Sequence, residues 1–459
     1  MNKLLKPLLV CAFLTSFSAC KDDEPPLPDN LASFETSAQG FEGEQAEIKI
    51  VLSRAAESAT AIKVDLAPLN MSYDTEFTTE PAASSNSIAV TVPAGATGVS
   101  FKVLRKAGAL LDGDESIQFK IASVASPVLI GTTVETKLSF KAIISDGTSI
   151  QLNGIAAAEA GSSAGNSVYL DLSANSQTPV LRNSWDLGFF SGADFRVILN
   201  NSLAASAIAT SKTDINAVTA ADADLTQLAV GQGSGTFDLI DDVSGSITKT
   251  VIQEVSATDA NNKVYIVNRS GGSANVLPAD QLYKIRVLRK GTGYTLQYAT
   301  LTATTFKTID IVKDPTYNFQ FASLTTDKIV SVEPAKARWD IVWGYSMYYT
   351  GTLPYAFSDL VFLNTHAGVE AAEVLTSATS YDNFAEANIA GATFRKDRDV
   401  IGSGWRNTQG TIGVKTDRFY LIKDSSGNIY KLRFINFHAS DGGERGKPKL
   451  EYKLLKKGA

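Results

Sequence analysis

The chain has 459 residues, more than one hydrophobic core usually serves, so two to four domains are expected. Hydrophobic residues make up 44% and charged residues 20%, ordinary globular proportions that exclude disorder as the main state. Two cysteines and two histidines are too few for a disulfide scaffold or a cysteine-rich zinc site, so no metal site is expected, and a formal charge of −6 without clustered Lys/Arg argues against nucleic acid as a partner.

Residues 1–19 read as a signal segment, because Lys3 and Lys6 precede an apolar run from Leu8 to Phe17 that is too short to span a bilayer. Phe17-Ser18-Ala19-Cys20 resembles the bacterial lipobox, in which the cysteine is lipidated and becomes the new N-terminus. Cys20 is therefore the expected lipidation site; the alternative is an ordinary secretory signal. Lys21-Asp22-Asp23-Glu24 is similar to the export tag of surface lipoproteins in the Bacteroidetes, and Pro25, Pro26 and Pro28 make residues 20–31 a stiff spacer. The expected location is the outer membrane, anchored by lipid and facing outward.

Residues 32–146 alternate like strands. Ala46 to Leu52, Ser87 to Val92 and Ser116 to Ile121 each place apolar side chains on one face, with turns at Pro93-Ala94-Gly95 and Asp112-Gly113-Asp114 between them. An Ig-like β-sandwich is expected, and the stretch from Phe41-Glu42-Gly43-Glu44 to Glu115 resembles Calx-β modules. That resemblance implies calcium on Asp112, Asp114 and Glu115 in the manner of some relatives; a solvated hairpin turn is the alternative.

The remainder repeats once. Trp185-Asp186-Leu187-Gly188-Phe189 recurs as Trp339-Asp340-Ile341-Val342-Trp343, Tyr265-Ile266-Val267 as Tyr420-Leu421-Ile422, and Tyr283 to Val287 as Tyr430 to Phe434. Leu296-Gln297-Tyr298 recurs as Leu450-Glu451-Tyr452. Period-2 alternation puts Tyr430, Leu432 and Phe434 on one face and Lys431 and Arg433 on the other, so the unit is β. Two homologous β domains are expected, at residues 147–307 and 308–459, in an all-β protein.

The second repeat runs from Trp339-Asp340 through Gly402-Ser403-Gly404-Trp405 and Arg418 to Ile422, then through Gly427-Asn428 to Phe434. That order resembles the HmuY family, all-β haem-binding surface lipoproteins of the Bacteroidetes. The resemblance implies capture of haem or a related flat ligand without catalysis, and partnership with an outer-membrane receptor. It also implies haem iron held between two axial side chains, histidines or methionines. The segment between Trp405 and Phe419, where one family histidine lies, carries Arg406 and Asn407 instead. The candidate ligands are then Met347, His366 and His438, and Tyr345, Tyr348 and Tyr349 are candidate stacking groups. The competing reading is a surface adhesion protein that binds a glycan or an envelope partner through such tyrosines. Gly231-Gln232-Gly233-Ser234-Gly235 lacks the Gly-Lys-Ser/Thr of a phosphate loop and reads as a hairpin, and no catalytic set is assigned.

Overall fold

Strict alternation decides the N-terminal unit. Along Gln45–Leu52 every second residue is buried, and Ala46, Ile48, Ile50 and Leu52 face inward. Ser87–Val92 does the same with Ile88, Val90 and Val92. The computed structural model describes residues 28–41, 45–106, 115–140, 145, 147–272 and 274–458. It divides into two units, residues 1–142 and 143–459.

In the first unit, two five-stranded sheets enclose one core. One sheet carries Leu31–Phe34, Gln45–Leu52, Phe77–Glu80, Gly98–Arg105 and Leu129–Ile130. The other carries Ala38–Gly40, Thr60–Leu69, Ser87–Val92, Ser116–Val124 and Glu135–Ser139. Phe34, Ile50, Val64, Phe101, Phe119 and Leu138 pack between them, giving the expected β-sandwich.

The second unit shows the repeat as structure, but its sheets cross the 307/308 division. Each repeat begins with three strands: Gly147–Gln151, Asn166–Asp171 and Ser176–Leu181 in the first, and Lys307–Ile311, Phe319–Ser323 and Lys328–Val330 in the second. Asn166–Asp171 pairs with Ile341–Thr350 of the second repeat, Val168 opposite Trp343. Phe319–Ser323 pairs with Leu187–Phe190 of the first, Phe321 opposite Gly188. Gly147–Gln151 likewise lies against Lys449–Lys456, and Lys307–Ile311 against Gly293–Thr300. The leading strands are thus exchanged between the repeats.

The cores follow the exchange. Val168, Leu170 and Leu172 pack with Ile341, Trp343, Val361, Tyr430 and Leu450, whereas Ala322 and Leu324 pack with Leu187, Phe189, Ile285 and Tyr294. Tyr430, Leu432 and Phe434 are buried on one face of Ile429–Asn436 as expected. Lys431, on the opposite face, is also buried, because the chain around Tyr381 to Phe384 covers it and takes its ammonium protons through the carbonyls of Tyr381 and Phe384. Among the described residues no helix is long and apolar enough to cross a membrane.

Candidate functional site

The two Trp-Asp pairs build the site. Each Asp follows a tight turn, and its carboxylate accepts the backbone N–H of the residue just after an exchanged strand: Asp186 from Leu324 at 2.7 Å, and Asp340 from Leu172 at 2.8 Å. Asn200 and Asn364 repeat one another in the same way. Asn200 donates to the carbonyls of Arg182 and Trp185, and Asn364 to those of Lys336 and Trp339. These bonds hold each Trp ring against an aromatic ring from the other repeat. Tyr169 meets Trp339 edge-on at 5.0 Å, and Trp185 meets Phe321 at 4.8 Å.

Between these two pairs lies a cavity of about 180 Å³. Its wall includes seven aromatic side chains, Tyr169, Trp185, Phe319, Phe321, Trp339, Tyr345 and Phe362, together with Asp241, Asp242, Glu333, His366 and Arg398. Asp241 accepts the backbone N–H groups of Leu199 and Val251, and burial pushes its pKa up to about 7. Glu333 accepts that of Phe319 at 2.8 Å, and burial pushes it up to about 8. The Arg398 guanidinium lies 3.9 Å over the Phe362 ring, and burial lowers its pKa to about 10. Among the described residues no hydrogen bond or ion pair holds that guanidinium, although Asp399, Asp242 and Asp241 attract it from beyond ion-pair distance. Three side chains of the wall carry a buried polar atom without a hydrogen-bond partner: Trp339 Nε1, Arg398 Nε and Asn201 Oδ1.

Of the three expected iron ligands, His366 alone lines this cavity. It sits in the turn Thr365–Ala367, exposed on one side, with its ring 5.5 Å from both Phe190 and Phe319. Burial of that face, and then the charge of Arg398, hold its pKa below the ordinary value. Met347 lies inside the strand Ile341–Thr350, and it is fully buried with Val230, Ile240 and Leu360. His438 lies beyond Ile429–Asn436 and caps the turn Ala439–Asp441, its Nδ1 accepting the Ser440 N–H at 3.2 Å. The structure does not gather the three donors around this cavity.

The tyrosines divide too. Tyr345 belongs to the cavity wall, with Arg182 stacked 4.7 Å over its ring. Tyr348 is buried, and its hydroxyl donates to Asp399. Its ring lies 4.3 Å from that of Tyr349, which is exposed. Cys20, Asp112 and Asp114 lie outside the described residues, and Glu115 is buried. Gly231 to Ser234 close a tight hairpin turn, Gly231 bridging to Ser234.

Sequence reading missed Arg398, Glu333 and Asp241. Arg398 stands in Arg395-Lys396-Asp397-Arg398-Asp399, which looks like a solvated charged loop, and Glu333 precedes Pro334 in what looks like an ordinary turn. Only the fold turns them toward aromatic rings.

The two β repeats thus close around a cavity with aromatic groups on its wall, where Asp241 and Glu333 are held by backbone amides. The family model described as HmuY protein matches residues 163–452, running through both repeats, and the chain belongs to the HmuY family. No curated protein matches it. Among solved structures, the apo form of the Calx CBD1 domain is 11% identical with a TM-score of 0.21, covering 24% of this chain and 96% of that one. A two-domain protein of unknown function from Bacteroides fragilis is 11% identical with a TM-score of 0.19, covering 28% of this chain and 51% of that one.

Proposed function

We propose that the chain is a lipid-anchored surface protein that captures haem or a related flat ligand without transforming it. The observation that supports this reading is the aromatic cavity shared by the two repeats, with His366 on its wall, in a member of a family associated with haem binding. Neutral imidazole is the form that ligates iron, and the lowered pKa of His366 favours that form at neutral pH. A cavity of about 180 Å³ is smaller than the roughly 300–1,000 Å³ that encloses a drug-sized ligand. A macrocycle would therefore rest across the mouth, with His366 on one face. Anchoring through Cys20 would hold the protein at the membrane without a spanning helix.

Haemin titrated into the purified protein should give a saturable Soret shift at micromolar protein. His366→Ala should change the band, whereas Met347→Leu and His438→Ala should leave it as it is. The absence of any saturable shift would sink the haem version.

A further inference from the structure

The cavity is small, and among the described residues one cation on its wall is without a partner. At about 180 Å³ it is close to the roughly 150 Å³ apolar cavity that accepts a benzene ring, so one ring or two fused rings fit and a macrocycle does not. Its walls offer aromatic rings in edge-on pairs, with Tyr169 against Trp339 and Trp185 against Phe321. Between such walls a flat apolar ligand can stack.

The polar groups choose the ligand's charge. The acids are committed elsewhere. Both oxygens of Asp241 accept backbone N–H groups, Asp242 takes the Ser244 N–H and faces Lys249, and Glu333 takes the Phe319 N–H. The cation is not committed. Arg398 has a ring beneath it and an unpartnered Nε, and Trp339 adds a second buried N–H donor without an acceptor. A half-buried guanidinium without an acceptor is costly, and a planar carboxylate matches its fork. A cationic ligand would meet aromatic faces that Arg398 and Arg182 already occupy at Phe362 and Tyr345.

We infer that the cavity interior binds a small aromatic carboxylate of one or two rings, the ring lying between the paired aromatics and the carboxylate on Arg398 and Trp339 Nε1. The inference rests on reading this cavity as the ligand site, and it assigns the interior a ligand class separate from a macrocycle at the mouth.

Calorimetric titration of the purified protein with 2-naphthoate, 2-naphthylmethanol and 2-naphthylmethylamine tests it. The acid should bind saturably and at least tenfold more tightly than the alcohol. Arg398→Gln should lose at least tenfold of that affinity, and Arg398→Lys should recover part of it. Trp339→Phe keeps the ring and removes the donor, so it should weaken the acid severalfold more than it weakens the alcohol; this variant decides the matter if Arg398→Gln fails to fold. Equal binding of acid and alcohol, tightest binding of the amine, or no binding of any probe would overturn the inference. A parallel haemin titration keeps the two readings apart. Haemin binding without naphthoate binding overturns the carboxylate site alone, and naphthoate binding without a Soret shift overturns the haem reading alone.

Discussion

Glu333 shows what the cavity costs the protein. Its carboxyl is buried on the cavity wall against the Phe319 N–H and Asn318, and burial still pushes its pKa up to about 8. The folded state therefore holds a proton that the unfolded chain gives up near pH 4.5. Below pH 4.5 both states are protonated and Glu333 exerts no pH-linked penalty; between there and pH 8 the penalty grows as pH rises. Glu333→Gln keeps the acceptor and removes the titration. The variant should match the wild type in thermal unfolding at pH 4 and exceed it at pH 8.5, and equal stabilities at both pH values would contradict the assignment. His366 could be picked out in the sequence, because histidines are scarce and it stands in a turn. Met347 could be picked out as chemistry but not as place: a register shift between Gly344 and Ser346 breaks the alternation, and Ser346, Met347 and Tyr348 are buried in succession.

At the level of elements, the Trp-Asp repeat is visible in the sequence, and the structure gives it a purpose, because each Asp ties down an exchanged strand. The two copies nevertheless stand in opposite electrostatic settings. Arg269 Nε reaches Asp186 at 2.7 Å, while the position that matches Arg269 in the second repeat is Asp424. Asp340 is fully buried, and that burial, followed by the charges of Asp171 and Asp424, raises its pKa well above the ordinary value. The same substitution should therefore have opposite signs. Asp186→Asn leaves a mostly buried Arg269 without its charge partner and should cost about 2 kcal/mol near neutral pH. Asp340→Asn keeps an acceptor for Leu172 and removes a carboxyl whose ionisation the fold opposes, so it should gain stability relative to the wild type as pH rises above 4. Denaturant unfolding of both variants at pH 5 and pH 8 measures the difference. Losses of the same size for both would mean that the Asp424 and Arg269 positions do not set the sign. The sequence displayed this asymmetry, but alignment by similarity passes over it because the neighbouring aromatics match so well.

For the whole second unit, the exchange of strands is seen in both pairing and packing. Only five residues, 182–186, separate Ser176–Leu181 from Leu187–Phe190, and three of them form a 3₁₀ turn. For the 166–181 hairpin to pair with Leu187–Phe190 at the register it uses with Ile341–Thr350, those five residues would have to cross two strand spacings, about 10 Å, and run back four residues, about 13 Å. The diagonal, about 16 Å, lies within the reach of six extended Cα steps, so length alone does not forbid it, but Arg182–Ser184 is coiled in a 3₁₀ turn. The hairpin is delivered instead to Ile341–Thr350, and the second hairpin fills the place left open beside Leu187–Phe190. Neither turn chemistry nor alternation reports this, since a strand's pattern is the same whichever partner it pairs with. It follows that the useful cut in this unit is not at 307/308. Residues 182–335 contain every strand from Leu187–Phe190 to Lys328–Val330 and a complete set of pairings, whereas residues 308–458 lack Gly147–Gln151 and Asn166–Asp171, with Val168, Leu170 and Leu172 of their core. The fragment 182–335 should give a β-type circular dichroism spectrum and a cooperative thermal transition. The fragment 308–458 should not, until residues 147–181 are supplied as a second chain. A cooperative transition from 308–458 alone would mean that the repeats can close on themselves and that the exchanged strands are not required.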